Sequence, residues 1–473
     1  MMRLNKKILT ITTAFVLMLT AVFSACGETD NTNYVGTVKI GYMRAGYGIE
    51  FAEVWTEEYN KAHPDEQIKF IIDDAVDGGY IGSRLDTESE ICDIFMSMEQ
   101  SWQNWARSGW IEPLDDLMEM TNDDGKVFGD VLQDSYDVYG LLDGKRYVLP
   151  MCGPSAPGFT YNATMFEELG LGDPPTTVTE LKALVDKINA LPVNNDSNKN
   201  NDIAPFAWGG LVPSYWNSAV LTWWAQIDGE EKLKEFYEME TVEVYAPNAR
   251  PGLKKALELF RELICTGTGV PKNSLDGAMS KNNIRMQNDF VLGKAAMMVG
   301  VYGVENETKD LIDPDTVLKM FYIPYIDGAQ EKDGKPIKIM ALEGQDFMFI
   351  PSASKNKELA KKFLLWISTE RMCREFTRTT SFAAPFKYDR DNIEGVSALT
   401  QSMMDASEDI VMVGHSFSSN PIVNQLQLFV FGANWPPYAD MVTKNMTPQE
   451  VLETAYSTAK AKWGPLSEQF GRN

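Results

Sequence analysis

The sequence is poor in the residues that most often carry catalysis or bind zinc. It contains two histidines and five cysteines in 473 residues, and no two cysteines are spaced as CxxC. This composition argues against a zinc site and against imidazole-based catalysis. The GxSxG motif, the phosphate-binding P-loop and a GxGxxG motif after a strand are also absent, so the usual signatures of hydrolases, nucleotidases and dinucleotide enzymes are missing.

Positive charge is also scarce. Lys and Arg number 43 against 67 Asp and Glu, which gives a net charge of −24. This balance argues against binding to nucleic acid or to anionic lipid surfaces. Beyond the first 25 residues, no apolar stretch reaches the roughly 20 residues that a membrane-spanning helix needs. Hydrophobic residues make up 44% of the chain, which predicts a globular body long enough for two or three domains.

The N-terminal residues 1–25 have the layout of a secretory signal peptide. A basic start is followed by an apolar run over 8–22, by Phe23-Ser24-Ala25 and by Cys26. A cysteine at this point resembles the lipobox of bacterial lipoproteins, in which the new N-terminal cysteine is acylated, although Phe23 stands where Leu is usual. We therefore expect a lipid anchor at Cys26, a polar tether over 26–36 and a body on the outer face of the cell membrane. A plain export signal is the alternative.

The remaining chain predicts an α/β protein. Strands predicted at 38–42 and 68–72 flank a helix at 49–62, which is a βαβ unit and indicates a parallel sheet. Cys92, Cys152, Cys265 and Cys373 are widely spaced, so we expect buried thiols, with two disulfides as the alternative. Further helices are predicted at 81–89, 165–169, 179–190, 215–225, 253–264, 285–292, 357–368 and 448–462, and further strands at 92–96, 147–150, 295–299, 320–323 and 347–350.

Several segments, in their order, resemble one family. They are the signal segment, "FAEVWTEEYNKAHPD", "DIFMSMEQSWQNWARSGWIEPLDDL", "RYVLP", "FVLGKAAMMVGVY" and "FIPSASKNKELAKKFLLWISTE". Together they resemble the extracellular solute-binding proteins of ABC importers, in the carbohydrate-binding group similar to maltose-binding protein. The resemblance covers nearly the whole chain after the signal, and it rests on the order of the segments rather than on any one of them.

The resemblance implies a two-lobe, type II periplasmic-binding-protein-like fold with a hinge and a ligand cleft. Lobe 1 would comprise 37–149 and 295–341, and lobe 2 would comprise 150–294 and 342–473. The crossing at 146–162 would be the first hinge, and a later one would lie near 340–351. The implied function is a monomeric receptor that captures an oligosaccharide and delivers it to ABC permease subunits, with no cofactor required.

Sugars present apolar C–H faces that stack on aromatic rings and hydroxyl groups that suit carboxylates, amides and arginine. Ligands of open α/β sheets bind outside the carboxyl ends of strands. Loop residues of these types that follow or precede the predicted strands are therefore candidate ligand contacts. They are Arg44, Tyr47, Glu99, Trp102, Trp208, Trp216, Tyr302, Glu343, Gln345, Asp346 and Trp435.

A polar loop resembles the first half of a calcium-binding loop. Oxygen-bearing side chains alternate at Asp196, Asn198, Asn200 and Asp202, and an aliphatic residue follows. Asn201 replaces the turn glycine, and Ala207 stands where the bidentate glutamate would be. A structural Ca²⁺ is one prediction for this loop, and a plain polar surface loop is the other.

Two other functions remain open from the residues alone. A surface-anchored glycan-active enzyme would need two carboxylates about 5–10 Å apart, and among so many acidic residues such pairs arise by chance. The same fold could also bind a peptide, a polyamine or another polar solute. The missing catalytic motifs favour a binding protein without enzymatic activity.

Overall fold

The structure is a computed structural model. It describes residues 36–43, 46–72, 78–97, 102–137, 139–153, 158–196, 198, 202–300, 303–341, 346–413, 422 and 436–469. The predicted signal peptide, Cys26 and most of the tether lie outside these residues. Within them, no helix combines the length and the apolar character needed to cross a membrane.

The described chain contains both helices and strands. The helices are α1 (Glu50–Ala62), α2 (Gly78–Thr87), α3 (Trp102–Arg107), α4 (Asp115–Glu119), α5 (Phe128–Val131), α6 (Ala163–Glu168), α7 (Val178–Asn189), α8 (Asn217–Glu238), α9 (Pro251–Ile264), α10 (Asn283–Val291), α11 (Val304–Glu307), α12 (Lys357–Ile367), α13 (Glu370–Thr380), α14 (Ala398–Ala406), α15 (Tyr438–Thr443) and α16 (Pro448–Gln469). The strands are β1 (Thr37–Tyr42), β2 (Gln67–Ile72), β3 (Ile94–Ser97), β4 (Leu141–Leu142), β5 (Lys145–Arg146), β6 (Leu149–Pro150), β7 (Gly158–Asn162), β8 (Ala204–Ala207), β9 (Ala295–Val299), β10 (Leu318–Tyr322), β11 (Glu331–Lys332), β12 (Lys335–Pro336), β13 (Ile339–Ala341), β14 (Phe347–Phe349) and β15 (Val411–Val413).

Lobe 1 is built on a five-stranded sheet in the order β2-β1-β3-β14-β6. Strand β1 pairs in parallel with β2 and β3, as the predicted βαβ unit requires, and β14 runs antiparallel to β3 and β6. Helix α1 covers this sheet with Phe51 and Trp55, which are four residues apart and so share one helix face. Both rings pack on Phe376 of α13, at centroid distances of 5.6 and 5.5 Å.

Lobe 2 is built on a four-stranded sheet in the order β10-β7-β9-β8. Strand β7 is antiparallel to both neighbours, and β8 is parallel to β9. The hydrophobic core on one side of this sheet includes large aromatic side chains of α8 and α9, among them Trp223, Trp224 and Phe260. A smaller methionine-rich cluster lies apart from this core and includes Met298 of β9 and Met320 of β10.

The two sheets correct the predicted division of the chain. Strands β9 and β10, within 295–341, hydrogen bond with β7 and β8 of lobe 2, whereas β14 joins lobe 1. Helices α12 and α13 pack in the lobe 1 core as well. Lobe 1 therefore includes residues 346–386, and lobe 2 includes 295–341. An apolar strand pattern shows that a segment is buried, but it does not show which sheet the segment enters.

Among the elements that the structure describes, the chain changes lobe three times. These changes fall between β6 and β7, between β13 and β14, and between the lobe 1 core and α14. The side chains of Cys92, Cys152 and Cys373 are buried and that of Cys265 is half-buried, and all four are thiols. The expectation of buried thiols therefore holds for Cys92, Cys152 and Cys373 but not for Cys265.

Candidate ligand-binding site

Each sheet turns one edge toward the connections between the lobes. On the lobe 1 sheet, β1, β3 and β6 end at this edge and β14 begins there, because Phe347 pairs with both Ser97 and Pro150. On the lobe 2 sheet, β8, β9 and β10 end at the corresponding edge, where β7 begins at Gly158. Strand β6 ends at one of these edges and β7, the next strand in the chain, begins at the other. The strand ends at these two edges are the position at which open α/β sheets bind ligands.

Three side chains meet at the lobe 1 edge, and we call them the hinge cluster: Tyr47, Cys152 and Asp346. The Tyr47 hydroxyl and the Cys152 sulfur are 3.3 Å apart. The same hydroxyl hydrogen bonds with the Asp346 carboxyl. Backbone contacts fix the cluster, because Met151 N donates to Asp346 O at 2.8 Å and Tyr136 Oη donates to Cys152 O at 2.9 Å. Two predicted ligand residues, Tyr47 and Asp346, are thus brought together.

The hinge cluster has unusual acid–base properties. Burial raises the pKa of Asp346 from 3.8 to about 6, although its hydrogen bond with Tyr47 acts in the opposite direction. Burial, and secondarily the charge of Asp346, raise the pKa of Tyr47 well above its ordinary value. Tyr47 therefore stays a neutral hydroxyl, whereas Asp346 changes charge near pH 6. In its ionised form the Asp346 carboxylate can accept hydrogen bonds from hydroxyl groups.

Three of the four predicted tryptophans lie in the cores of the lobes. Trp102 is buried in lobe 1, and Trp208 and Trp216 are buried in lobe 2. The Trp216 ring, with 0% of its surface exposed, packs on Phe206 and Phe260 at centroid distances of 5.5 and 5.3 Å. None of the three offers an exposed ring face in this conformation, which disagrees with their predicted stacking role. The reason is that the turn Pro213–Trp216 folds back onto the lobe 2 core instead of forming an open loop.

Six further predicted ligand residues lie outside the described residues, and their roles stay predictions. They are Arg44, Glu99, Tyr302, Glu343, Gln345 and Trp435. In the sequence, Arg44, Glu99 and Tyr302 lie two or three residues beyond the ends of β1, β3 and β9.

The predicted calcium loop is described only in part. Asp196 accepts a hydrogen bond from Asn198 N at 2.6 Å, and Asp202 lines a surface hollow of about 460 Å³ together with Asn194. Asn200 lies outside the described residues. Among the residues that are described, no group of three or more His, Cys, Asp or Glu side chains is arranged to hold a metal ion. The Ca²⁺ site therefore stays a prediction.

Sequence reasoning missed two groups at this site. Cys152 was expected only as a buried thiol, yet it contacts Tyr47. Asn306 was not singled out, yet its side-chain amide donates to Gly46 O of lobe 1 at 3.0 Å. The glycine- and proline-rich crossing near Cys152 was a usable signal for the first, but no local pattern marks Asn306.

Comparison with protein families decides the relationship of this chain. Residues 45–372, more than two thirds of the sequence, match the model of the bacterial extracellular solute-binding proteins. The chain belongs to this family. A binding protein of Brucella abortus (strain 2308) is 26% identical over 348 residues, which cover 70% of this chain and 73% of that protein.

Solved structures of solute-binding proteins share the fold. A chitin oligosaccharide binding protein aligns with a TM-score of 0.62 at 16% identity, and the alignment covers 90% of this chain and 98% of that one. RafE in complex with raffinose aligns with a TM-score of 0.64 at 16% identity, over 90% and 99% of the two chains. The apo form of RafE from Streptococcus pneumoniae aligns at 0.63 and 16% identity, over 91% and 99%. This solute-binding protein therefore has the predicted two-lobe architecture.

Proposed function

We propose that this protein is a lipid-anchored extracellular receptor that captures a carbohydrate between its lobes. Closure of the lobes around an oligosaccharide would create the shape that ABC permease subunits recognise, and no covalent step is involved. The observation that carries the proposal is that the strand ends of the two sheets, at the end of β6 in lobe 1 and the start of β7 in lobe 2, follow each other in the chain. Structural neighbours described as binding chitin oligosaccharide and raffinose support a sugar as the solute.

The hinge cluster supplies polar contacts suited to such a solute. An ionised Asp346 accepts hydrogen bonds from sugar hydroxyls, and the neutral Tyr47 hydroxyl can donate or accept. Hydrogen bonds to a charged acceptor in a water-poor site are stronger than neutral ones, so Asp346 is the larger contributor. The anchor at Cys26 would keep the receptor beside its permease, as a monomer on the outer face of the membrane.

A thermal-shift screen with raffinose, chitotriose, xylotriose and maltotriose tests the solute class. A ligand present at 100 times its Kd stabilises the native state by about 2.7 kcal/mol, so a true ligand raises the Tm by several degrees. Spermidine and a tripeptide in the same plate test the other solute classes. A rise with either of these, and with none of the sugars, would reassign the solute.

A receptor of this kind binds its sugar without cleaving it. Purified protein incubated with the same sugars, and with xylan and chitin, is expected to release no new reducing ends. Release at enzymatic rates would overturn the receptor assignment.

A further inference from the structure

Helix α11 belongs to lobe 2 but reaches across to lobe 1. Val304 anchors its first turn in the methionine-rich cluster of lobe 2. Two residues later, Asn306 Nδ2 donates to Gly46 O at 3.0 Å and to Thr380 O at 2.9 Å. Both acceptors lie in lobe 1, because Gly46 follows β1 and Thr380 is the last residue of α13. One side chain of lobe 2 therefore binds two separate segments of lobe 1.

The Thr380 carbonyl is a natural acceptor for such a bond. The last carbonyls of a helix have no partner within the helix, and they carry its partial negative charge. Helix α13 ends sharply here because Ser381 has the left-handed φ of 65°. A side-chain amide has two N–H donors, so Asn306 can serve both carbonyls at once. Asn306 of lobe 2 thus donates a hydrogen bond to a carbonyl at the C-terminal end of a lobe 1 helix.

A second contact lies beside these hydrogen bonds. Gly303 has φ −89° and ψ 11°, a conformation open to any L-residue. A Cβ atom at Gly303 would nevertheless lie 2.9 Å from Gly46 Cα and 3.0 Å from Gly46 O. Glycine is therefore required at 303 by the close approach of the lobe 1 backbone and not by its own φ. The two lobes touch here backbone to backbone.

The contact at Gly46 is adjacent in sequence to a residue of the hinge cluster. Gly46 precedes Tyr47, whose ring packs on Phe382 at a centroid distance of 4.5 Å and whose hydroxyl contacts Cys152. A shift of Asn306 relative to lobe 1 would therefore move the segment that carries Tyr47.

We propose that Asn306 is a positioning residue that forms an interlobe clasp with Gly46, Thr380 and Gly303. The clasp is a noncovalent link between the lobes, in addition to the connections that the chain itself makes. It limits the range of angles between the lobes and holds Tyr47 against Asp346. The part of this inference that concerns solute affinity rests on the proposed function, whereas the part that concerns the lobe angle does not.

The first test is Asn306→Ala, which removes both donors and leaves the backbone unchanged. Small-angle X-ray scattering of the ligand-free protein should show a larger radius of gyration, because more open arrangements become accessible. The Kd for the best sugar among raffinose, chitotriose, xylotriose and maltotriose should rise on the order of 10-fold, since closure must then restrict a wider ensemble. Asn306→Asp should have the larger effect, because it places a carboxylate against two carbonyl oxygens.

Asn194→Ala is the matched control. Asn194 Nδ2 also donates to two backbone carbonyls, of Ile188 at 2.8 Å and of Ile203 at 2.9 Å, but both belong to lobe 2. Its loss should lower the Tm without changing the radius of gyration or the Kd. This control separates general destabilisation from loss of the clasp.

Gly303→Ala tests the clasp by a steric route. Its Cβ would push the Gly46 backbone away while all hydrogen-bond donors are kept, so the radius of gyration should again rise. If Asn306→Ala and Gly303→Ala both scatter like the wild type, the clasp is refuted. If the wild type binds none of the four sugars, the carbohydrate proposal fails, but the scattering of the ligand-free variants still decides the clasp.

Discussion

The two lobes meet the space between them in different ways. Among the described residues, lobe 1 presents side chains that can exchange protons or hydrogen bonds, namely Tyr47, Cys152 and Asp346. Lobe 2 presents tightly packed backbone at the ends of its strands. A Cβ added at Gly209 would lie 2.5 Å from Lys281 O, and one at Gly300, which has φ +64°, would lie 2.2 Å from Ser218 Oγ.

The contrast extends to the aromatic residues behind each edge. The Tyr47 hydroxyl reaches the polar cluster, whereas the indole rings of Trp208 and Trp216 point into the lobe 2 core. The indole nitrogens of both tryptophans are buried without an acceptor in the described structure. The same residue type at a strand end can thus serve recognition or packing, and the neighbouring core decides which. Four measurements test this difference between the lobes.

The largest effect is expected for Trp216→Ala. Removing a fully buried indole costs about 3–5 kcal/mol of unfolding free energy, because transfer energy is lost and a cavity remains. Urea unfolding should show this loss, and Trp216→Phe should lose less because it keeps a ring. If Trp216→Ala instead keeps its stability and loses only sugar binding, Trp216 is a stacking surface and the contrast between the lobes fails.

The second effect concerns Asp346 and pH. Because its carboxyl binds a proton more tightly in the folded state, its stabilising contribution is complete below pH 3.8 and is lost as pH rises through about 6. The rise in pKa corresponds to about 3 kcal/mol. The difference in unfolding free energy between wild type and Asp346→Asn should therefore fall as pH rises from 4 to 7 and stay constant above that range.

Asp346→Asn is itself the control for this measurement, because it keeps the size of the side chain and removes its titration. A difference that stays constant between pH 4 and 7 would show that the Asp346 carboxyl is not held in a buried site. In that case lobe 1 would lose the feature that distinguishes its edge from that of lobe 2.

The secondary structure was largely predictable, but the assembly of the lobes was not. Strand β9 was predicted at its observed bounds, 295–299, and α12 to within one residue, because apolar periodicity and turn residues act locally. Both segments were nevertheless assigned to the wrong lobe. Strand pairing depends on contacts between residues far apart in sequence, such as Phe159 with Val299 and Phe349 with Phe95.

The candidate site was predictable to the extent that it depends on strand ends. Tyr47 and Asp346 were both selected as loop residues next to strands, and they contact each other. Their partner Cys152 was not selected, because a lone thiol was interpreted only as a buried side chain, although the glycine- and proline-rich crossing around it was a usable signal. Trp208 and Trp216 were misjudged because exposure of a ring depends on how the following turn packs.

The third effect is on affinity and runs opposite to the stability change. A sugar whose hydroxyls donate to the Asp346 carboxylate binds the ionised form more tightly, so its Kd should fall as pH rises from 5 to 7. Asp346→Asn should weaken binding about 10- to 100-fold at pH 7.5, in line with hydrogen bonds to a charged group, and should remove the pH dependence. Titration calorimetry across this pH range measures both. An unchanged Kd for Asp346→Asn would place the solute away from the lobe 1 edge.

The smallest effect is expected for Tyr47→Phe. The Tyr47 hydroxyl lowers the pKa of Asp346, although burial outweighs it, so removing the hydroxyl should move that pKa above 6. In Tyr47→Phe, the pH at which half of the stabilisation by Asp346 has been lost should therefore be a few tenths of a unit higher than in the wild type. The contact of the ring with Phe382 in the core is retained. The measurement is the same pH series of unfolding free energies, and Tyr136→Phe, which contacts the Cys152 carbonyl instead, is the matched control. A midpoint that moves down, or that moves equally in the control, would mean that Tyr47 does not stabilise the carboxylate and that the two groups act separately at the lobe 1 edge.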